Sequence, residues 1–396
     1  MKKALLVTTV SGFIPQFEMN NVRILQKMGY EVHYASNYHM PSYGKDNRRL
    51  DGTGIVRHQI DFVRSPYSLK NREVYRQLKR LMEEEGFQLV HCHTPMGGVM
   101  ARLAAHATGT RPVIYTAHGF HFFKGAPLVN WICYYPMERW LSRYTDQQIC
   151  INEEDYERAK TFHAHYVDYV PGVGIDLEKI QNAAGIDVGR KKAELGLPLD
   201  KKIILSAGEL IKRKNHESVI RAIAQMADQS VLSFVYVICG HGELEEYLKG
   251  LVADLGIEEQ VLFLGYRSDI MEIYRVADLY VFPSFQEGLP MALLEAMASG
   301  LPVVCSDIRG SRDLMAEHVA DGQSGWSLCA GGVIVKKADD SKAYGEAIKK
   351  MLDDSERLEE CGKRNEEMAE GFTVECVGER MKGVYERLEA GRQTSC

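Results

Sequence analysis

Much of what would simplify this 396-residue chain is missing from it. Its nine cysteines (92, 133, 150, 239, 305, 329, 361, 376 and 396) form no Cys-x-x-Cys pair, and their number is odd. That excludes a disulfide framework or a standard zinc site and suits a reducing compartment. Asp-x-Asp occurs nowhere, so one common way of holding a divalent cation on a diphosphate is absent. No run approaches the roughly 20 apolar residues of a spanning helix. The opening stretch, Met1–Val10, is short, contains two threonines and lacks a small-x-small cleavage site, so it reads as a first buried strand rather than a signal peptide. A net charge of −6 gives no basic field for nucleic acid, and any attraction to an anionic membrane has to be local. No Gly-x-Gly-x-x-Gly follows the first strand, which removes a Rossmann dehydrogenase. Short-period repeats and low-complexity tracts are absent as well.

What is present is alternation. Short apolar runs at 4–10, 31–35, 88–91, 113–116, 148–151 and 166–170 read as strands. Helix-like stretches near 17–28, 70–85, 97–107, 127–143 and 153–162 lie between them. The second half repeats the pattern, with strands at 202–207, 234–239, 261–264, 279–282 and 303–305. Its helices fall near 215–228, 243–255, 269–276, 290–299, 340–353 and 355–370. Such alternation marks parallel α/β sheets, and the chain is long enough for two domains. The break is expected around Pro171–Leu199. Residues 1–172 form one doubly wound domain and 173–373 the other, with the helix from 374 packing back on the first. Ligands bind such sheets at strand C-terminal ends.

Glu287-Gly-Leu-Pro-Met-Ala-Leu-Leu-Glu295 follows the run 279–282. A helix starting near Pro290 directs free N–H groups and its positive dipole end at the loop, which suits a phosphate. Carboxylates suit hydroxyls instead. Phosphate with hydroxyls on both sides describes a nucleotide sugar; two surface glutamates on an ordinary helix is the plainer alternative. After the strand 202–207 comes Gly208-Glu-Leu-Ile-Lys-Arg-Lys-Asn-His216. Arg213 offers a fixed fork of donors and Lys214 a mobile charge, a natural diphosphate clamp or else a basic surface loop. Gly240-His-Gly242 closes the next strand, and Ser11-Gly12 the first; both are backbone approaches to a ligand or plain turns.

In order and spacing these elements, together with Pro171-Gly-Val-Gly-Ile-Asp176, resemble the retaining family 4 glycosyltransferases over nearly the whole chain. The resemblance implies an α/β GT-B fold, two facing Rossmann-like domains with a cleft between them. Within that family, Thr116-Ala-His-Gly-Phe-His-Phe-Phe-Lys-Gly-Ala-Pro127, Ser142–Asp146 and Ile151–Asp155 are similar to enzymes that build capsule or exopolysaccharide repeat units. The resemblance implies that Glu295 holds the nucleotide ribose and that Glu287 holds donor sugar hydroxyls. Lys214, with Arg213, holds the diphosphate, and His118 lies by the sugar. Gly12, Gly208, Gly240, Gly242 and the segment Gly288, Leu289, Pro290 and Met291 complete the donor site. Many relatives carry Arg directly after the glycine at 208; here it is Glu209. The implied reaction is retaining transfer of a sugar, from UDP by family habit, to an undecaprenyl-diphosphate-linked glycan, with no cofactor and no metal.

The acceptor is expected on the first domain. His93 ends a strand there, and Phe122, Phe123 and Lys124 precede an aromatic-rich helix whose 131–141 stretch reads mostly as core. Arg72, Arg76, Lys79 and Arg80 share one face of the helix 70–85, beside an apolar stripe of Val74, Leu78 and Leu81. That suits an anionic membrane surface, or a solvated helix followed by three glutamates. The expected location is cytoplasmic, peripheral on the inner membrane face. Two other classes compete: a nucleotide-sugar epimerase on the same plan, and a non-catalytic scaffold or lectin-like subunit.

Overall fold

The computed structural model describes residues 1–44, 46–227, 233–315, 317–321 and 325–393. It divides into two compact units, one of residues 1–174 with 374–396 and one of residues 175–373.

Among the described residues the first unit is built on a seven-stranded parallel sheet, β1 (Lys2–Val10), β2 (Tyr30–Asn37), β3 (Val56–Gln59), β4 (Leu89–His93), β5 (Val113–Ala117), β6 (Gln147–Cys150) and β7 (Tyr166–Tyr169). The spatial order is β3-β2-β1-β4-β5-β6-β7. β1 and β4 are buried on both faces, as a parallel sheet covered by helices on each side requires. On one face lie α2 (Asn71–Glu85), α3 (Pro95–Thr108) and α4 (Leu128–Leu141), and on the other α1 (Met19–Lys27) and the C-terminal helix Val374–Gln393. A single turn of wider, π-type helix, Ile14–Glu18, precedes α1, and α5 (Glu153–Ala159) follows β6, its N-terminus capped by the Asn152 side chain on the Asp155 N–H. Sheet growth reverses between β1 and β4, which leaves a crevice outside the C-terminal ends of these strands.

The second unit opens with α6 (Leu177–Asn182) and α7 (Val188–Glu194), capped by Asp176 and Asp187, in a stretch expected to be a linker. Lys191 anchors α7 by bonding Glu194, Asp269 and Glu272. The sheet follows: β8 (Lys202–Ala207), β9 (Phe234–Cys239), β10 (Val261–Gly265), β11 (Leu279–Phe282), β12 (Val303–Ser306), β13 (His318–Asp321), β14 (Trp326–Cys329) and β15 (Gly332–Val335). Its order is β10-β9-β8-β11-β12-β15-β14-β13. The last hairpins pair antiparallel and carry no clear period-2 signal, so the sequence pattern missed them. Helices α8 (His216–Ala227), α9 (Glu245–Asp254), α10 (Ile270–Val276), α11 (Met291–Ala298), α12 (Arg309–Leu314), α13 (Ser341–Leu352) and α14 (Ser355–Ala369) cover it. Its reversal point lies between β8 and β11.

One buried ion pair fixes α4 to α3. The Arg102 guanidinium, fully buried, donates to Glu138 Oε2 at 2.9 Å and to the Gly98 carbonyl at 3.0 Å, and lies over the Tyr115 ring. Removing one partner strands the other charge in the core. Glu138→Ala is therefore expected to destabilise the first unit by about 3–5 kcal/mol, read as a lower urea midpoint; an unchanged midpoint would contradict the assignment.

Candidate active site

In the second unit the loops after β8 and β11 are strapped together. Asn215, held in the left-handed region (φ 55°), donates from Nδ2 to the Pro283 carbonyl at 2.9 Å, and the Phe285 N–H donates to the Arg213 carbonyl at 2.9 Å. Asn tolerates that backbone conformation better than a bulkier residue would. The strap brings Arg213 and Lys214 onto one carboxylate. Arg213 Nη1 donates to Glu287 Oε1 at 2.5 Å and to the Gln286 carbonyl at 3.0 Å, and Lys214 Nζ reaches Glu287 Oε1 at 2.8 Å. Arg309 Nε holds the Glu287 carbonyl at 2.9 Å. A lysine has three N–H donors and an arginine five, so each cation keeps donors beyond those Glu287 takes.

Glu295 sits in the second turn of α11. Tyr274 Oη, 3.4 Å away, donates to its Oε2. Burial pushes the Glu295 carboxyl up to about 7, against the bond from Tyr274 and the more distant Lys179 charge. The Pro290 cap makes no side-chain bond to the first turn of α11. Leu289 and Pro290 are buried, and Gly288 beside them is half-buried. The glycines here pack against each other. A Cβ on Gly240 would lie 1.8 Å from the Gly208 carbonyl oxygen, and one on Gly242 would lie 2.4 Å from that of Leu210. The two loops thus touch backbone to backbone. Glu209 and Lys212 are exposed on the outside of the same loop.

In the first unit the tips of β1, β4 and β5 gather a different set. His93 Nδ1 and His118 Nε2 lie 3.1 Å apart, and Glu18 Oε1 lies 3.6 Å from the former and 3.4 Å from the latter. Glu18 is buried, and its other oxygen accepts from Asn21 Nδ2 at 2.5 Å. Burial raises the Glu18 carboxyl to about 8 and lowers the His118 imidazole to about 4. Phe13 packs its ring edge-on against His118, and the His118 side chain keeps 22% of its surface exposed. Behind them His91 bonds Tyr385 Oη and Thr116 Oγ1. Of the described residues, Glu18, His93 and His118 are the set that could hold a metal ion, with one ligand atom each within 4.8 Å of the others. Against that role, His93 Nε2 is buried with no partner among the described residues, whereas a ligating histidine normally anchors its second nitrogen.

Several expectations need correction. His93 is fully buried and reaches any ligand only through His118. Phe122, expected on the acceptor side, is 1% exposed and packs among Phe120, Trp131, Tyr135 and Phe162. Phe123 is half-buried and Lys124 exposed. A Cβ on Gly12 would lie 1.8 Å from the Ser42 carbonyl oxygen, so what approaches that glycine is the chain's own loop. On α2, Arg76, Lys79 and Arg80 are paired with Glu73, Glu83 and Glu84, which leaves Arg72 as the exposed basic residue there whose side chain has no bonded partner among the described residues. The 131–141 stretch is not mostly core either, since Ile132 is 65% and Trp140 46% exposed. Glu18, Asn21, Tyr274 and Arg309 escaped the sequence reading, because each acts through a fold contact rather than a local motif.

Comparison with known proteins adds to this geometry. Residues 3–152 match the family described as "Glycosyl transferase 4-like", and residues 187–368 that described as "Glycosyl transferases group 1". The "Putative glycosyltransferase EpsD" of Bacillus subtilis is 36% identical over 97% of this chain and 96% of its own. The UDP-Gal:alpha-D-GlcNAc-diphosphoundecaprenol alpha-1,3-galactosyltransferase of Escherichia coli is 32% identical over 62% of this chain and 65% of its own. Among solved structures, Anabaena Alr3699/HepE in complex with UDP superposes with a TM-score of 0.75 at 18% identity, covering 98% of this chain and all of that one. Sucrose-phosphate synthase from Thermosynechococcus elongatus gives 0.76 at 17%, covering 99% and 100%. With that fold and those relatives, the chain belongs to the family 4 glycosyltransferases of GT-B fold.

Proposed function

We propose that the protein moves a sugar from a UDP-sugar to a lipid-diphosphate-linked glycan, with retention at the anomeric carbon and without a metal. The observation that carries this reading is the meeting of Arg213, Lys214 and Glu287 at the strap between two strand-to-helix loops. A diphosphate takes the remaining donors of the two cations, and Glu287, bound to the same cations, accepts from the sugar hydroxyls next to it. Glu295 accepts from the ribose. The anomeric carbon–oxygen bond to the diphosphate breaks, the acceptor oxygen bonds the same face, and its proton passes to the departing phosphate oxygen. Preorganised cationic donors at that phosphate are worth about 3–4 kcal/mol each to the barrier. The name of the Escherichia coli relative supports the acceptor class, since that enzyme acts on a diphosphoundecaprenol-linked sugar. Retention follows the habit of the family that the chain resembles. A nucleotide-sugar epimerase or a non-catalytic scaffold would need no acceptor surface.

Such an acceptor places the protein at a bilayer, on its inner face if the donor is cytosolic. α4 suits that contact better than α2. Leu128, Val129, Ile132, Cys133, Pro136 and Trp140 are exposed at helical spacing, while Trp131, Tyr134 and Tyr135 on the opposite side pack on the core. A helix apolar on both sides is expected to be buried, and this one lies on the surface of its unit. From 124 to 143 the charges are Lys124, Arg139, Arg143 and Glu138, and Glu138 is neutralised inside by Arg102. The exposed face is therefore apolar with a basic edge, complementary to anionic lipid.

Incubation with a panel of UDP- and GDP-sugars in excess EDTA is expected to give slow donor hydrolysis by one UDP-sugar. Glu295→Ala should weaken UDP binding roughly tenfold or more, the worth of about one charge-assisted hydrogen bond, whereas Glu287→Ala should mainly lower turnover. An absolute need for added metal, epimerised product alone, or unaltered variants would overturn the reading. In sedimentation with phosphatidylglycerol vesicles, Ile132→Glu/Trp140→Glu should bind at least about tenfold more weakly, since each buried apolar side chain contributes about 1.5–3 kcal/mol. Co-sedimentation equal to that of the parent protein would exclude α4 as the membrane contact.

A further inference from the structure

The buried cluster of the first unit fixes more than the position of His118. Glu18, His93 and His118 come from the turn before α1, the end of β4 and the loop after β5, and three of their polar atoms face one point at separations of 3.1, 3.4 and 3.6 Å. Among the described residues no lysine or arginine is bonded to Glu18. Its neighbours are the two imidazoles and the Asn21 amide, with the buried Tyr385 phenol and His91 behind. An isolated carboxylate in such a setting keeps a proton rather than its charge.

Hydrogen-bond accounting then settles the tautomers. The 3.1 Å contact between His93 Nδ1 and His118 Nε2 needs one N–H and one lone pair. His93 Nε2 is buried and has no partner among the described residues. An orphaned buried N–H costs more than an orphaned lone pair, so the His93 proton belongs on Nδ1, where it is used. His93 Nδ1–H therefore donates, and His118 Nε2 accepts. A neutral His118 that accepts at Nε2 carries its own proton on Nδ1, the nitrogen with no partner among the described residues. The protonated Glu18 carboxyl lies 3.4 Å from the same Nε2 and, being neutral, brings no charge that would favour a second proton there.

We propose that Glu18 and His93 are positioning residues that lock His118 as a neutral imidazole with its Nδ1–H free to donate to a substrate hydroxyl. His118 would then act as a fixed hydrogen-bond donor, and neither as a general base nor as a cation. The inference rests on the proposed glycosyl transfer for its substrate, but the tautomer itself can be read without any substrate.

The direct test is ¹⁵N NMR of the full-length chain labelled at histidine, with the His118 signals assigned through His118→Asn. At pH 7 His118 is expected to be neutral and protonated on Nδ1. In Glu18→Ala its titration should rise from near 4 toward the ordinary imidazole range. A protonated or Nε2–H His118 in the parent protein overturns the proposal, whether or not any nucleotide sugar is turned over. Kinetics with the UDP-sugar that the parent protein hydrolyses give the second readout. The Glu18→Ala protein should lose on the order of a hundredfold in kcat with UDP affinity unchanged, while Glu18→Gln, which keeps a neutral donor, should retain most activity. The parent profile should fall as pH rises through about 8, where Glu18 ionises, and Glu18→Gln should lack that alkaline limb. An alkaline limb kept in Glu18→Gln, or equal activity of both variants with the parent, would contradict it.

Discussion

The pairing of Glu287 with Arg213 and Lys214 is the contact on which the second unit's site depends. It joins loops from β8 and β11, the two strands that flank the reversal point of the sheet. Backbone bonds from Asn215 and Phe285 hold the loops in register, and close glycine contacts bring the next loop against them. A carboxylate and two cations are thereby kept at hydrogen-bond distance, partly shielded from solvent, where their attraction is screened less than at an open surface. An acceptor for hydroxyls and donors for phosphate are thus built as one object, before any substrate arrives.

The first unit solves a related problem with the opposite electrostatics. Among the described residues its cluster holds no lysine or arginine, and burial drives Glu18 up and His118 down, so the set is neutral near pH 7. A neutral donor array suits sugar hydroxyls, while the charged array of the second unit suits a diphosphate. The C-terminal helix contributes to this cluster from the far end of the chain, through Tyr385 on His91. The neutral set and the charged set both lie at a sheet reversal point, where strand tips of parallel sheets leave room for ligands.

The sequence carried the local parts of this arrangement. Glu287 and Glu295, seven residues between them, and the Lys-Arg-Lys run before α8 could be read from chemistry and spacing, because each lies on a strand-to-helix corner visible as a change of period. What escaped depends on contacts far apart in the chain. Glu18 sits in an irregular turn with no motif, and it meets His118 a hundred residues away. Phe122 reads as a loop residue open to a ligand before a helix, yet Trp131, Tyr135 and Phe162 close over it. On α4 periodicity signalled a helix, but an apolar residue at helical spacing does not say which side faces the core. The antiparallel strands β13 to β15 are short and lack alternation, so only their pairing identifies them.

A crystal of the full-length protein soaked with UDP tests the central claim most directly. The diphosphate should lie on Arg213 and Lys214, with Glu287 beside it and the ribose hydroxyls on Glu295. A UDP molecule bound elsewhere, or one whose ribose leaves Glu295 untouched, would contradict it.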